Sequence, residues 1–348
     1  MEIKYNNYAN VLAYKARHPM DVKARHPMDV TNQILSANKL TLIRGAITVG
    51  LAPKAHLNLS RELLEWKIAT MLAFIDTNSL FTIKNVNDLE MSERVTVAYF
   101  IGMVFAQIHM QKMYNVRHLE HLKSPGIGVV SRPGDLKNPD LWGIDLRTGQ
   151  SYLVEAKGST ASANYFDNTK ITKAETQLNA IRQINHTVAG ITKVFNGESL
   201  KKLIIATHPN INNEMMQHII DPIEENQKII NVQGNEMIYK HYMHLANFLR
   251  IEDSKVIQIS RIPDVKFRVI NLEMFNCSIG LLEDIYQVLK PKLVIELPRQ
   301  KDLLGINEEI NSILDTYELE FNAEFQNDEK YSIGNDGVIV INNDYEVM

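Results

Sequence analysis

Several features that would assign this chain to other classes of protein are missing from its sequence. The 348 residues include a single cysteine, Cys277, so an internal disulfide is impossible and a reducing compartment is expected. The N-terminal residues lack the apolar stretch of a signal peptide, and the most apolar segment, residues 95–108, is too short to span a bilayer. These absences predict a cytoplasmic protein without a membrane partner.

Nucleotide-driven and zinc-dependent functions also lack their signatures. The chain contains neither Gly-x-Gly-x-x-Gly nor Gly-x-x-x-x-Gly-Lys-Ser/Thr, and no Cys/His cluster has zinc spacing. The net charge of −4 argues against general adhesion to nucleic acid. The charge is uneven, because residues 111–205 carry thirteen Lys/Arg against eight Asp/Glu (net +5) and residues 301–348 carry two against twelve (net −10). A locally basic middle segment suits phosphate contacts, although a solvated mixed surface explains it equally well.

One short repeat stands near the start of the chain. Residues 15–22 recur without change as residues 23–30, and each copy contains a proline that prevents a continuous helix. Two copies of eight residues do not make a solenoid. We interpret the repeat as a short duplication in a surface loop.

The chemically informative stretch is a predicted hairpin in the middle of the chain. Two strand-like runs, residues 141–144 and 152–154, flank a turn-like segment in which Gly149 permits a positive φ. Asp140 stands at the head of the first run, and Glu155 and Lys157 end the second. Residues two apart in a strand point to the same side, so Glu155 and Lys157 are expected to share a face.

This arrangement suits a divalent metal held against a phosphodiester. Mg²⁺ prefers oxygen ligands and keeps several waters, and Asp140, Glu155 and the backbone carbonyl of Ala156 could supply three oxygens. Mn²⁺ is expected to substitute. Metal chemistry of this kind activates a water and stabilises charge on the phosphate, and Lys157 would orient the water or neutralise the phosphate. Asp145 lies closer to Glu155 in sequence and is the alternative or additional ligand, although we favour Asp140.

The acid-x-lysine pattern alone has little specificity. It occurs eight times, beginning at Glu2, Asp21, Glu65, Asp135, Glu155, Asp253, Asp264 and Asp328. Only the copy at Glu155 ends an apolar run, follows a turn and has a Pro-Asp pair at the head of the preceding strand. The hairpin context therefore carries the inference.

Pro139-Asp140, Glu155 and Lys157 resemble the motif of the PD-(D/E)XK nuclease superfamily, which includes restriction endonucleases and phage-defence nucleases. The resemblance implies an α/β, restriction-endonuclease-like fold with a mixed central sheet flanked by helices. It also implies that Asp140, Glu155 and Lys157 are the catalytic residues of a Mg²⁺-dependent endonuclease acting on DNA, in restriction or antiviral defence. The superfamily often adds an acid from an upstream helix, for which Glu120 is the nearest candidate. Its helix after the lysine strand often faces the site, and Lys173, Gln177 and Lys170 are the corresponding candidates for substrate binding.

The remaining patterns suggest three regions. These are an N-terminal, largely helical α+β region (1–90), the nuclease-like core (91–210) and a C-terminal α+β extension or second domain (211–348). Helices are predicted after the N-cap Ser60 and over residues 92–114, 172–184, 212–227 and 278–289, and strands over residues 41–49 and 202–207. The helix at residues 92–114 is apolar on most of its circumference and should be buried.

Two alternatives to a DNA-cutting enzyme stay open at this point. A catalytically inactive nuclease-like module could bind nucleic acid or a partner protein, and the same chemistry could cleave RNA, as in a toxin. An enzyme that breaks duplex DNA makes two nicks, which favours a homodimer or a partner subunit of a defence system.

Overall fold

The structure is a computed structural model that describes residues 2–15, 33–49, 60–78, 80–122, 127–130, 138–222, 228–260, 262–293, 298–322 and 330–345. Apart from its first residue, Lys15, the tandem repeat lies outside the described residues, and so do the last five residues of the helix predicted to end at residue 227. No helix in the described part of the chain is long and apolar enough to cross a membrane.

The helices and strands of the described residues are numbered in chain order. The helices are α1 (Val11–Lys15), α2 (Lys39–Thr48), α3 (Arg61–Phe74), α4 (Met91–Met113), α5 (Asn168–Asn179), α6 (Gly234–Ile251), α7 (Glu283–Leu289) and α8 (Ile306–Asn322). The strands are β1 (Glu2–Tyr8), β2 (Gln33–Ser36), β3 (Ile75–Asp76), β4 (Thr82–Ile83), β5 (Leu119–His121), β6 (Ile127–Val130), β7 (Leu141–Asp145), β8 (Gln150–Gly158), β9 (Ile181–Val188), β10 (Ile191–Asn196), β11 (Leu200–Pro209), β12 (Met215–Ile220), β13 (Lys228–Gln233), β14 (Lys255–Ile259), β15 (Ile262–Leu272), β16 (Cys277–Leu282), β17 (Tyr331–Ile333) and β18 (Val338–Asn342).

The largest sheet is mixed and has seven strands in the order β2-β1-β12-β11-β8-β7-β5. β8 runs parallel to β11 and β1 parallel to β12, whereas the other neighbours are antiparallel. The predicted strand at residues 202–207 is confirmed inside β11, in the middle of this sheet. The sheet draws strands from all three of the predicted regions, and the chain belongs to the mixed α/β class.

Two further sheets and the small β3-β4 pair contain the other strands of the described residues. One has four strands in the order β10-β9-β13-β6, and the other has five antiparallel strands in the order β14-β15-β16-β18-β17. Helix α6 contacts strands of both and also packs against α7 and α8. Thirteen of its eighteen residues are buried, which makes it the central helix of this half of the molecule.

Two helices cover opposite faces of β8. The predicted buried helix is confirmed as α4, which begins at Met91 and packs on β8 and β11. Its apolar side chains share a cluster with Val154, whereas those of α5 share a different cluster with Leu153. Because adjacent strand residues point to opposite faces, α4 and α5 lie on the two sides of the sheet.

Several predicted elements are wrong in type or extent. Residues 41–49, predicted as a strand, form most of α2, where Asn38 and Thr41 make a reciprocal capping box that starts the helix. Within residues 212–227, predicted as a helix, the structure has β12. The helix predicted at residues 172–184 starts earlier, at residue 168, and ends at residue 179, so its last apolar residues belong to β9. The segment at residues 278–289 divides into β16 and α7, whereas the helix after Ser60 is confirmed as α3.

Candidate active site

The predicted hairpin is present as β7 and β8, joined by a tight turn. Leu141 pairs with Val154 and Asp145 with Gln150, and Gly149 in the turn has a φ of 71°. Such a positive φ is one that glycine adopts at little cost, which explains the residue at this place. The predicted glycine turn therefore joins the two strands of the hairpin.

Asp145 stabilises this turn and lies away from the other acids. Its carboxylate accepts hydrogen bonds from the backbone N–H of Arg147 at 3.0 Å and from the hydroxyl of Thr148 at 2.7 Å. Its strand partner, Gln150, stands five residues before Glu155 on β8, a separation of roughly 17 Å along an extended strand. The structure thus does not bring the alternative ligand Asp145 to Glu155.

Asp140 and Glu155 meet at the open end of the hairpin. Continuing the β7–β8 register by one residue places Asp140 opposite Glu155. Asp140 Oδ2 accepts a hydrogen bond of 3.2 Å from the backbone N–H of Ala156. The Glu155 side chain is fully buried, and the Lys157 ammonium donates a hydrogen bond to Glu155 Oε1. The two predicted carboxylates and the predicted lysine are therefore together.

Asp140, Glu155 and Lys157 bring two acidic side chains but only one basic side chain to the same place. Burial raises the pKa of the Glu155 carboxyl well above its ordinary value, and the neighbouring Asp140 carboxylate raises it further. Lys157 lowers the pKa of Glu155 but does not offset those two effects. Glu155 Oε2, which is buried, meets no hydrogen-bond donor among the described residues. A cation at this position would satisfy the oxygen and allow both acids to ionise.

Gln177 on α5 links the lysine to the loop before β7. Lys157 Nζ donates to Gln177 Oε1 at 3.3 Å, and Gln177 Nε2 donates to the backbone carbonyl of Asn138 at 3.2 Å. Predicted only as a substrate-binding residue, Gln177 also positions the lysine in this structure. These two hydrogen bonds, the Gln177 relay, connect β8, α5 and the loop before β7.

A cleft of about 760 Å³ opens over this group of residues. Lys170 and Lys173, the other two predicted residues of α5, lie on its rim with exposed side chains. The complete lining is Val95, Ala98, Tyr99, Asn138, Asp140, Glu155, Ala156, Lys157, Gly158, Lys170, Lys173, Thr176 and Gln177. All the predicted site residues except Asp145 and Glu120 are therefore brought to one cavity.

The wall of the cleft formed by α4 was not predicted. Val95, Ala98 and Tyr99 come from the first turns of this helix, and burial together with the Asp140 carboxylate raises the pKa of the Tyr99 hydroxyl. In the sequence these residues belong to a helix that is apolar nearly all round, so no pattern distinguished a cleft-facing stripe. The one usable signal is a pair of glycines, Gly102 and Gly158, which allow α4 to cross β8 at close range.

Glu120 belongs to a different buried group. It lies on the edge strand β5 and accepts a hydrogen bond from His241 on α6, whose other ring nitrogen stands 3.5 Å from Asp336. Burial alone would lower the pKa of His241, but the charge of Glu120, the hydrogen bond to Glu120 and the charge of Asp336 raise it to about 9. The predicted upstream acid is thus paired with a histidine and does not line the cleft.

The residues at the cleft fit a hard divalent cation. No cluster of three or more His, Cys, Asp or Glu side chains suited to a metal occurs among the described residues. Mg²⁺ needs fewer, since it is bound in proteins by one or two carboxylates and keeps several waters. Asp140 and Glu155, with the backbone of Ala156 beside them, would hold such an ion, and the unsatisfied Glu155 oxygen is the observation that favours it.

Comparisons with protein-family models, with curated proteins and with solved structures find no match to this chain. Its function is therefore inferred from the geometry and chemistry of the cleft.

Proposed function

We propose that this chain is a metal-dependent nuclease that hydrolyses DNA phosphodiester bonds in the cleft at the end of β8. The observation that carries the proposal is the convergence of Asp140, Glu155 and Lys157 from both strands of one hairpin. The two carboxylates are adjacent, one is fully buried, and the lysine ammonium is hydrogen-bonded beside them. This set is what phosphodiester hydrolysis at a bound Mg²⁺ requires, because the ion supplies Lewis-acid polarisation and an activated water.

Each of the site residues has a distinct role in this proposal. Asp140 and Glu155 hold the ion, with Mn²⁺ as a substitute. Lys157 provides a compact positive charge for the phosphate or the attacking water, and Gln177 keeps that charge in the cleft. Lys173, exposed on the rim, binds a neighbouring phosphate of the substrate.

The fold agrees with this proposal in its general features. The carboxylates lie on a mixed sheet, with a helix on each face of the strand that carries Glu155 and Lys157. A restriction-endonuclease-like core is the finer description that we propose, on the resemblance of residues 139–158. The same resemblance extends the proposal to a restriction or antiviral defence role, in a homodimer or with a partner subunit.

A nuclease-like module that binds without cutting is the second candidate. It is favoured by the absence of a third acid from the described lining of the cleft, since Glu120 is bonded to His241. It is also favoured by the hydrogen bond from Lys157 to Glu155, which neutralises part of the site. The two candidates differ in whether metal-dependent turnover occurs.

The decisive experiment measures cleavage. The purified chain is incubated with plasmid, linear duplex, single-stranded DNA and RNA in Mg²⁺ or Mn²⁺, with and without EDTA. We expect metal-dependent cutting of DNA that falls by roughly 10²-fold or more in Lys157→Ala, the loss typical of removing one electrostatic contact to a transition state. Lys255→Ala, which removes the exposed lysine of another acid-x-lysine copy, is the matched control and should retain full activity.

Three outcomes of this experiment count against the proposal. Activity that survives EDTA or Lys157→Ala excludes the mechanism. DNA binding without any cutting supports the inactive module. Cutting confined to RNA changes the substrate to that of a ribonuclease.

A further inference from the structure

The two walls of the cleft differ in chemistry. The wall from α5 is polar and cationic, with Lys170, Lys173, Thr176 and Gln177. The wall from α4 consists of Val95, Ala98 and Tyr99, and it contributes no lysine or arginine to the lining. The carboxylates lie on the floor between the two walls. A ligand that fills this cleft must therefore present anionic groups to one side and apolar, flat groups to the other.

The α4 wall continues as an exposed apolar stripe. Met91, Val95 and Tyr99 are spaced four residues apart on one helical face, and their exposed fractions are 81%, 66% and 43%. At 1.5 Å per residue the stripe is about 12 Å long, close to the length of three stacked nucleotides of one strand. An exposed apolar stripe that borders a charged site is a candidate binding surface.

Tyr99 is held as a fixed ring within this stripe. It makes a T-shaped contact with Phe100 at a centroid distance of 5.9 Å, and Phe100 makes a second one with Trp66 at 5.3 Å. Tyr99 is thus anchored along one edge while 43% of its surface remains open. A positioned and partly exposed aromatic ring beside a phosphate site is a stacking platform for a nucleobase.

The opposite wall, formed by α5, suits the phosphate backbone of a nucleic-acid strand. Lys170 and Lys173 are one helical turn apart on α5, and both side chains are exposed. Lys170 Nζ lies 5.7 Å from the centre of the Phe166 ring, which supports the lysine stem at the rim. Two lysines at this spacing suit successive phosphates of a flexible strand.

We infer that the cleft takes single-stranded DNA, with a base on the Tyr99 ring and the flanking phosphates on Lys170 and Lys173. The inference rests on the proposed function, because it takes DNA as the ligand of the cleft. Within that function it makes single strands the substrate, in place of the duplex that a restriction enzyme cuts. Duplex DNA is disfavoured since it keeps its bases inside and turns phosphates outward. Phosphates against the α4 wall would lose water without gaining a cation.

The test compares binding of one labelled oligonucleotide as a single strand and as a duplex. Fluorescence anisotropy is measured with the Glu155→Gln variant in Mg²⁺, so that cutting does not deplete the probe. We expect the single strand to bind at least tenfold more tightly than the duplex. Tyr99→Ala should weaken single-strand binding by about 5- to 150-fold, the range that corresponds to the loss of one base–aromatic stack. Tyr99→Phe keeps the ring and should bind like the parent.

Two controls separate stacking from general effects. Ile191→Ala removes another exposed apolar side chain, 77% exposed on β10 and absent from the cleft lining, and should leave binding unchanged. Lys173→Ala should reduce the slope of log Kd against log salt by about 0.7, the value for one phosphate contact on a single strand. Circular dichroism of each variant confirms that it is folded before binding is compared.

The outcomes distinguish this inference from the proposed function. Equal affinity for single strand and duplex, or a folded Tyr99→Ala variant with unchanged single-strand affinity, overturns the inference even if the chain cuts DNA. A change from dimer to monomer in Tyr99→Ala without a change in DNA affinity would assign the stripe to self-association and also overturn it. Tyr99-dependent single-strand binding without metal-dependent cutting would leave the inference standing and remove the nuclease.

Discussion

Replacing Gly102 with alanine tests whether the crossing of α4 over β8 sets the geometry of the cleft. A Cβ atom at residue 102 would lie 2.7 Å from the backbone N of Gly158 and 2.9 Å from the backbone carbonyl carbon of Lys157. Ordinary Cβ contacts are 3.4 Å or longer, so α4 and β8 would have to separate by about 0.7 Å. Because the obstructing atoms are backbone atoms, no change of rotamer can relieve the contact.

The expected change in stability is a balance of two terms. Alanine in a helix interior is favoured over glycine by about 1 kcal/mol. Overpacking of this kind costs about 1–3 kcal/mol, so Gly102→Ala should lower the free energy of unfolding by up to about 2 kcal/mol. Gly45→Ala in α2 is the matched control, because its Cβ would meet only side-chain atoms of Val104 and Ile108, at 3.1 Å. Those side chains can move, and the control should stay within about 1 kcal/mol of the parent.

The expected change in activity follows from the same displacement. The Tyr99 wall would move away from Lys157 by a large part of an ångström, and misplacement by about 1 Å can cost 10²-fold in rate. We therefore expect Gly102→Ala to cut DNA about 10- to 100-fold more slowly at a temperature where it is fully folded, and Gly45→Ala to cut normally. Urea denaturation and initial cleavage rates measure the two effects separately. A Gly102→Ala protein as stable and active as the parent would refute the account of the crossing.

Three further predictions concern single residues. Mg²⁺ should raise the melting temperature of the parent chain but not of Asp140→Asn, and an equal rise in both would remove Asp140 as a ligand. Asp145→Ala should lower the free energy of unfolding by about 1–2 kcal/mol through the loss of its turn hydrogen bonds, with the cleavage rate unchanged; a large loss of rate in a folded variant would restore Asp145 as a ligand. The His241 ring should titrate near pH 9 by NMR, because Glu120 and Asp336 hold its proton. Its folded pKa lies above the unfolded value near 6.5, so its stabilisation, worth about 3 kcal/mol, is complete below pH 6.5 and is lost as the pH rises through 9; a ring neutral at pH 7.5 would contradict this.

The part of the site that could be predicted depends on short-range geometry. Glu155 and Lys157 share a face because they are two apart on a strand, and Asp140 meets Glu155 because a tight turn fixes the register of β7 against β8. Lys173 and Gln177 share a face because they are four apart on a helix. Each of these relations spans at most about twenty residues and follows from the period of a strand, a turn or a helix.

The relations that the sequence did not reveal depend on contacts between distant segments. Glu120 pairs with His241, 121 residues away, and nothing in the local sequence distinguishes an acid that faces a histidine from one that faces a metal. Residues 41–49 are predicted as a strand, and five of the nine are β-branched, yet the cap at Asn38 and burial of this segment against α4 make them a helix. The Tyr99 wall depends on where α4 crosses β8, which no periodicity encodes.

The relay through Gln177 resolves an apparent conflict in the site. Lys157 is hydrogen-bonded to Glu155, so the carboxylate proposed to bind a cation is already engaged by the lysine. Lys157 has a second acceptor, however, in the amide oxygen of Gln177, and the orientation of that amide is fixed by its hydrogen bond to the carbonyl of Asn138. Neither of these bonds involves Glu155. Under the proposed function, the ammonium would keep its place in the cleft when Glu155 binds a cation, and its charge would then be available to the substrate phosphate. Helix α5 would then have two roles, because Gln177 holds the lysine and Lys170 and Lys173 lie on the rim where the proposed strand would bind.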